Sequence, residues 1–381
     1  MPFSDIVGHE RCLAVLRKAL DSARLPHAYL FCGPERVGKT TTALAFAQAA
    51  NCTNARGNGS ADACGECPSC RLVAAGTHPE VRVIGPLLRL EGHDEEAALD
   101  VYVEGTMIRT EQIGELIRQA NMTIVGGKRK VFVVTRAEAM NEASANRLLK
   151  TLEEPPGATT FILTTPAPSQ LLPTIQSRCQ PVRFGPVPDA QAVEGLTREF
   201  PAVAPERIRA AVALSGGRYG WARRALANAG LLALRDELLG VAASLPARRL
   251  VEGLRVAESL ADLAQRWWLT SQESEMGAEL LKRSRDRLLR ANVGELLDVL
   301  LSWYRDLVLL GSGADASALA NADRAEALRA AGAHYPPAQA QAAAALCRDM
   351  KRYLQVGNAN LRLALEVLAT RLIELSAKQA R

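Results

Sequence analysis

The chain has 381 residues, a size that accommodates two or three domains, each with its own core. Apolar residues make up 48%, charged residues 23% and aromatics only 4%, which is the balance of a globular protein with little material for base-stacking platforms. The net charge of +5 allows weak attraction to nucleic acid but does not argue for it alone. No apolar run approaches the ~20 residues of a membrane span, and Met1-Pro2-Phe3-Ser4-Asp5 lacks the basic and apolar regions of a signal peptide. A cytoplasmic setting with reduced thiols is expected.

Residues 27–32 read as a short apolar strand. It leads into Gly33-Pro34-Glu35-Arg36-Val37-Gly38-Lys39-Thr40, which fits the phosphate-cradling pattern G-x-x-x-x-G-K-[ST]. The Ala-rich stretch 40–50 behind it is helical, so backbone N–H groups and the helix dipole converge on the phosphates. Gly33 and Gly38 shape the loop, Lys39 reaches the β/γ-phosphates and Thr40 ligates Mg²⁺. The competing reading is a glycine turn with a chance lysine; the strand before and the helix after argue against it.

Cys52, Cys64, Cys67 and Cys70 follow with C-x11-C-x2-C-x2-C spacing. In a reduced compartment, clustered cysteines point to metal. Gly65 and Pro68 among them suit a tight knuckle around one tetrahedral ion better than a helix. Four thiolates fill the coordination sphere of Zn²⁺ and leave no position for water, so the site is expected to be structural. Unligated buried cysteines or a redox switch are the alternatives. Cys12, Cys32, Cys179 and Cys347 stand alone and are expected to fill the core. His78, His93 and His334 lack neighbours at metal-binding spacing and are expected to be structural or solvated.

Further on, 79–84 reads as a strand and 85–105 as an insertion carrying one strand pair. A helix at 110–121, a strand at 130–134, a helix at 141–154 stopped by Pro155-Pro156, and a strand at 159–165 complete the pattern. Repeated strand-then-helix order implies a mainly parallel sheet with helices on both faces. In a P-loop ATPase the strand Val131–Val134 would end in an acid that helps hold Mg²⁺ and a carboxylate that positions water. Thr135 and Arg136 stand there instead, so the chain is expected to hold a nucleotide without hydrolysing it well. Ser177-Arg178-Cys179 comes shortly after 159–165, read as the last strand of this domain. An arginine so placed can project into a neighbour's nucleotide as the γ-phosphate leaves; the alternative is a surface ion pair.

After Phe184-Gly185-Pro186-Val187-Pro188 the texture changes to Ala, Leu and Arg at helical spacing, interrupted only by Pro201, Pro205 and Pro246 before Pro336. The expected division is an α/β P-loop core over 1–186 with the cysteine insertion at 52–70, a small helical unit over 187–230, and a larger helical domain over 231–381.

Taken in order, Asp5-Ile6-Val7-Gly8-His9, His27-Ala28-Tyr29-Leu30-Phe31 before the P-loop, the four-cysteine insert, Ala145-Asn146-Arg147-Leu148-Leu149-Lys150-Thr151-Leu152-Glu153-Glu154-Pro155-Pro156 and Ser177-Arg178-Cys179 give the chain a family resemblance. It resembles the AAA+ clamp-loader subunits of bacterial DNA polymerase III. The specific motifs cover about the first half. The second half matches more loosely, through Trp303-Tyr304-Arg305-Asp306-Leu307 and Asn358-Ala359-Asn360-Leu361-Arg362-Leu363. The resemblance implies an AAA+ core, a helical lid and a helical collar that joins a five-membered ring. It implies Ile6 and Val7 near adenine, Thr165 as the first sensor, and Arg178 as an arginine finger given in trans. The implied partners are gamma/tau and delta subunits, with the sliding clamp and primed DNA engaged by the assembled complex.

Two members of that family compete, the gamma/tau motor and the delta-prime subunit. Thr135 and Arg136 in place of acids favour delta-prime. So does Gly220, in Gly217-Arg218-Tyr219-Gly220-Trp221-Ala222, where the motor has an arginine, and so does an end near the collar without the extension of tau. The enzyme alternative is a motor that uses Glu138 or another acid. A zinc-dependent nucleic-acid binder is a third class, disfavoured because only Arg56 and Arg71 supply basic neighbours to the knuckle.

Overall fold

The structure is a computed structural model that describes every residue except 23–24, 55–61, 91–100, 105–106, 272–288, 290–292, 316–317, 357–359 and 378–381. His93, Arg56, Asn358, Ala359 and the middle of the 85–105 insertion lie outside the described residues. The chain divides into two compact units. One comprises Met1–Arg89, Tyr102–Glu199 and Gly217–Trp221; the other comprises Leu90–Val101, Phe200–Gly216 and Ala222–Arg381.

Strands β1 (Ala28–Cys32), β2 (Val81–Ile84), β3 (Leu87–Leu90), β4 (Val101–Glu104), β5 (Lys130–Val134), β6 (Thr159–Thr165) and β7 (Gln180–Arg183) form two sheets, all within the first unit except Leu90 and Val101 at the ends of β3 and β4. The larger has the order β2-β5-β6-β1-β7, with its strands paired in parallel. β3 and β4 pair separately, which is the strand pair expected within 85–105. The central strands are runs of apolar and β-branched residues because both of their faces are covered. Leu30, Phe132, Val134, Phe161 and Leu163 share one buried cluster with Ile113 and Leu116 of α4 (Thr110–Ala120) and Leu148 and Leu152 of α5 (Glu142–Glu153). Phe132 and Phe161 stack there with ring centroids 5.5 Å apart. The alternate residues serve the opposite face, where the Tyr29 ring meets Phe46 of α2 (Lys39–Asn51) edge-on at 5.5 Å. Each such side chain contributes about 1.5–3 kcal/mol by burial.

Local signals set the ends of these helices. Asn141 caps α5 by accepting a 2.8 Å hydrogen bond from the Ser144 N–H, and the helix stops before Pro155-Pro156. Helix α1 (Glu10–Asp21), which buries Leu13 and Leu16, was not among the expected elements.

Two expectations need correction. β6 is not the last strand: β7 follows Arg178 and pairs with β1. Only Val182 of its four residues is buried, so it gave no periodic signal. The cysteine segment is also partly helical. Cys67 is the N-cap of α3 (Pro68–Ala74), and Pro68 sits at a first-turn position that needs no N–H donor.

The second unit is helical. It holds α8 (Pro205–Ser215), α10 (Ala229–Ser244), α11 (Gly253–Ser271), α12 (Gly294–Gly311), α13 (Ala325–Gly332), α14 (Pro337–Val356) and α15 (Leu361–Ala377); α7 (Asp189–Glu199) belongs to the first unit and α9 (Tyr219–Ala227) begins there. Helix α12 packs on α14, and α11 packs on α15. Trp303 and Tyr304 are fully buried core residues. Asp306, also buried, accepts the N–H groups of Ala320 and Asn321 and so pins that segment to α12. The fold class expected from the sequence, a parallel P-loop core followed by an all-helical C-terminal region, is the one observed.

Candidate functional site

The P-loop leaves the carboxyl end of β1, flanked by the ends of β6 and β7, where open α/β sheets bind ligands. Gly33 donates its N–H to the Thr165 carbonyl at 3.1 Å. With φ 152° and a Cβ position only 2.2 Å from the Phe184 carbonyl, position 33 admits glycine alone. Gly38, at φ 114°, turns the chain into α2. Between them Arg36 adopts a left-handed conformation, φ 58°. Two contacts that the sequence did not signal hold the loop from outside. His9 Nε2 donates to the Val37 carbonyl at 2.8 Å, and the Gly220 N–H donates to the Arg36 carbonyl at 2.8 Å. Burial keeps the His9 ring below its ordinary pKa, although the bond to Val37 and the nearby Glu10 act to raise it.

Lys39 is buried, only 7% exposed, and its ammonium donates to the Gly33 and Pro34 carbonyls, both at 2.6 Å. Burial lowers its pKa to about 8, against the attraction of Glu35 and Glu138. Thr40 follows in the first turn of α2, half-buried. Thr165, fully buried at the end of β6, accepts the Ala167 N–H at 3.0 Å. Gly33, Gly38, Lys39 and Thr40 thus lie along one loop and the helix turn behind it, and Thr165 is tied to that loop through the Gly33 N–H.

The strand end at 135 and 136 carries no carboxylate. The Thr135 hydroxyl donates to the Ile84 carbonyl at 3.1 Å. Arg136 turns left-handed at φ 51°, and its Nε lies 4.0 Å from Glu138 Oε1. Burial raises the Glu138 pKa, while the Thr165 side chain and Arg136 favour its charged form. Its other oxygen, Oε2, is buried without a hydrogen-bond partner.

Ile6 and Val7 are half-buried. The Val7 side chain lies against α7, where a Cβ on Gly195 would come within 2.6 Å of it. Arg178 is bonded to residues outside the P-loop. Its guanidinium bonds Glu153 Oε1 at 2.5 Å and the Thr174 carbonyl at 3.0 Å, with a third of the side chain exposed. An ion pair so exposed contributes at most about 1 kcal/mol, so the arginine is readily released.

The four cysteine sulfurs of the insertion lie within 4.8 Å of one another. Tetrahedral Zn²⁺ with bonds of ~2.3 Å sets thiolates about 3.8 Å apart, so these residues fit the ion with small adjustment. Backbone N–H groups of Cys64, Cys67 and Cys70 point at the sulfurs of Cys52, Cys64 and Cys67 at 3.3–3.4 Å, as thiolates favour. Within the set, and against burial, hydrogen bonds from Thr53 and the Cys70 N–H hold the Cys67 thiol down to about 5, while burial pushes the Cys52 and Cys70 thiols up. The knuckle is tied to the core: Gln48 donates to the Cys70 carbonyl at 2.8 Å, and Lys128 Nζ to the Cys52 carbonyl at 2.6 Å. His78 is structural. Its Nδ1 accepts the Glu80 N–H, so Nε2 carries the proton toward Ser69 Oγ, 3.0 Å away. His334 is exposed. Cys12, Cys179 and Cys347 are buried and Cys32 is partly so; burial pushes the Cys179 and Cys347 thiols up to about 12, out of reactive range.

Residues 8–188 match the family described as DNA polymerase III, delta subunit. The chain is 41% identical over 196 residues to DNA polymerase III subunit delta' of Pseudomonas aeruginosa, covering 51% of this chain and 54% of that one. It is 35% identical over 194 residues to subunit delta' of Escherichia coli, with 51% and 52% covered. Against subunit tau/gamma of Haemophilus influenzae it is 36% identical over 177 residues, with 46% and 23% covered. The matches span about half the length of these delta' relatives. Among solved structures, a DNA polymerase III gamma subunit-related protein of Thermotoga maritima aligns over 96% of this chain and 99% of its own at 16% identity, with a TM-score of 0.41. Through residues 8–188, this chain is a relative of the delta-prime and gamma/tau subunits of DNA polymerase III, and its resemblance to the delta-prime type stands.

Proposed function

We propose that the chain is a delta-prime-like subunit of a DNA polymerase III clamp loader in the bacterial cytoplasm. On this reading it holds nucleotide with little turnover and completes the ATP site of an adjacent gamma/tau subunit with Arg178. The parts divide as an AAA+ core over 1–186, a lid over 187–230 and a collar over 231–381 that joins gamma/tau and delta. The assembled ring then acts on the sliding clamp and primed DNA. One observation carries the reading: the strand that should end in two acids ends in Thr135, committed to a backbone carbonyl, and in Arg136, a cation. The knuckle of Cys52, Cys64, Cys67 and Cys70 supplies structural Zn²⁺ binding, and no step of the chemistry runs through it.

The test is the Arg178→Ala variant in the reconstituted complex. An arginine finger is worth roughly 10³–10⁵ at the site it completes, diluted in bulk turnover by the other ATP sites of the ring. Assembly should persist, while DNA-stimulated hydrolysis and clamp loading fall. Arg178→Lys should rescue little, because a compact ammonium does not reproduce the planar guanidinium fork. Wild-type loading by an assembled Arg178→Ala complex overturns the trans role. The Glu138 carboxylate within electrostatic reach of Lys39 favours a second reading, a gamma/tau-like motor. Robust turnover by the isolated chain, lost in Lys39→Ala, would establish it.

A further inference from the structure

The missing acids at 135 and 136 leave a chemical question inside the pocket. A triphosphate or diphosphate enters such a site as its Mg²⁺ complex, and an acid normally supports that ion. The chain past β5 brings one there by another route. Arg136 reverses the backbone in a left-handed turn, and the short turn Ala137–Ala139 carries Glu138 back to the end of β6, beside Thr165. The side chain is 11% exposed and acts on the Lys39 ammonium. One oxygen faces Arg136 at 4.0 Å; the Thr165 hydroxyl and the residue's own N–H act on the carboxylate, but Oε2 is buried with no partner in good hydrogen-bond geometry. A buried carboxylate oxygen without a donor is costly, and such groups in native proteins call for an unseen cation or water.

We propose that Glu138 is the acid of the nucleotide pocket, supporting the Mg²⁺ of a bound nucleoside diphosphate or triphosphate together with the Thr40 hydroxyl. This deepens the reading above, on which the pocket retains nucleotide, and depends on it. Three features fit it. The P-loop supplies the phosphate cradle, Thr40 sits in the first turn of α2, and Glu138 Oε2 lacks a partner among the described residues. The role is metal support alone. Arg136 beside the carboxylate opposes proton abstraction from water, so the assignment agrees with slow hydrolysis.

The experiment titrates a fluorescent ADP analogue into the full chain, in Mg²⁺ and in EDTA. Wild type should bind about tenfold or more tightly with Mg²⁺, a difference of about 1.4 kcal/mol. Glu138→Gln should bring the two affinities within about twofold, with EDTA binding unchanged or improved because a buried anion beside the phosphates is gone. Electron paramagnetic resonance of Mn²⁺ added with ADP should show the same loss of metal affinity. Glu138→Asp, which keeps the charge but retracts it, gives a second variant should the amide disturb folding; it should reduce the Mg²⁺ advantage partway. A wild-type affinity indifferent to Mg²⁺, or an undiminished advantage in the folded variants, overturns the role of Glu138 and leaves nucleotide retention standing. No binding in either buffer overturns both.

Discussion

Helix α2 carries two proposed sites of opposite character at its two ends. Its first turn, Lys39 and Thr40, closes the P-loop, and the residue just past its last turn, Cys52, opens the cysteine knuckle. The knuckle is a closed set: four equivalent donors, all at hand within one short insertion, each able to satisfy the same ion. The pocket is an open set. Its glycines, lysine and threonine are intact, but its acids are replaced by Thr135 and Arg136, and its remaining contacts come from His9, Glu138 and Gly220, far apart in the chain. A site that depends on one repeated chemistry at fixed spacing tends to be kept whole or lost whole. A site with several separable tasks can lose hydrolysis and keep binding.

The comparison breaks most sharply at the metal. The purified chain should contain about one zinc per molecule, and Cys67→Ser should release it, since three thiolates and a hydroxyl hold Zn²⁺ far more weakly than four thiolates. Because the knuckle is bonded to Gln48 and Lys128 and its described residues contribute no strand to the sheet, the variant should keep its α/β secondary structure by circular dichroism. Metal analysis of protein purified without chelator is the check. Absence of zinc there would make the sulfur cluster a packing feature and the contrast with the pocket empty.

At the other end of α2, Lys39→Ala should weaken nucleotide binding by about tenfold to a hundredfold, since a charged donor to the phosphates is worth about 1.5–3 kcal/mol. The same lysine gives a pH test. Its ammonium must be protonated to meet phosphate, and burial brings its pKa down to about 8. Affinity in wild type should therefore decline as pH rises above about 8, and nucleotide should bind with proton uptake there. Stability moves the other way. Between about 8 and the ordinary lysine range the unfolded chain binds more protons than the folded one, so this group's contribution to stability rises with pH. Titrations of affinity and of thermal midpoint across pH 7 to 10 should thus diverge, and Lys39→Ala should abolish both trends. Parallel trends would place the titration elsewhere.

The two sites also differ in how far they could be read from sequence. The cysteines and the P-loop announce themselves because each depends on residue types at fixed short spacing. The apolar strands Val131–Val134 and 159–165 were legible for a similar reason, since burial on both faces demands continuous β-branched and aromatic residues. β7 was not, because three of its four residues are exposed and Pro181 interrupts the pattern. Nor was the helix behind Cys67, where Gly65 and Pro68 suggested a loop, although proline is at home in a helix's first turn. In the sequence Glu138 stands out only as an acid that a motor could use in place of the missing pair. What brings it to Lys39 is the left-handed Arg136, a conformation that residue type alone does not announce in an arginine. Arg178 was legible as a motif, but its pairing with Glu153, twenty-five positions earlier, depends on how α5 and the segment before β7 meet.

Gly220 gives the smallest and most discriminating test. In the motor subunits the family resemblance puts an arginine at this point; here the Gly220 N–H holds the Arg36 carbonyl, and a Cβ would stand 2.9 Å from that oxygen. Taken as a helix position, Gly→Ala should stabilise by up to ~1 kcal/mol from propensity. Taken as a contact, it overpacks the back of the P-loop, which typically costs about 1–3 kcal/mol. The neighbour is backbone in a left-handed conformation, with no rotamer to swing away, so the contact term should win. Gly220→Ala should lower the thermal midpoint slightly and shift nucleotide affinity by a few-fold, while zinc content stays unchanged. A midpoint that rises with affinity untouched would mean that the loop yields freely at Arg36. The glycine would then mark only a lost arginine, and the pocket would be held by Gly33 and His9 alone.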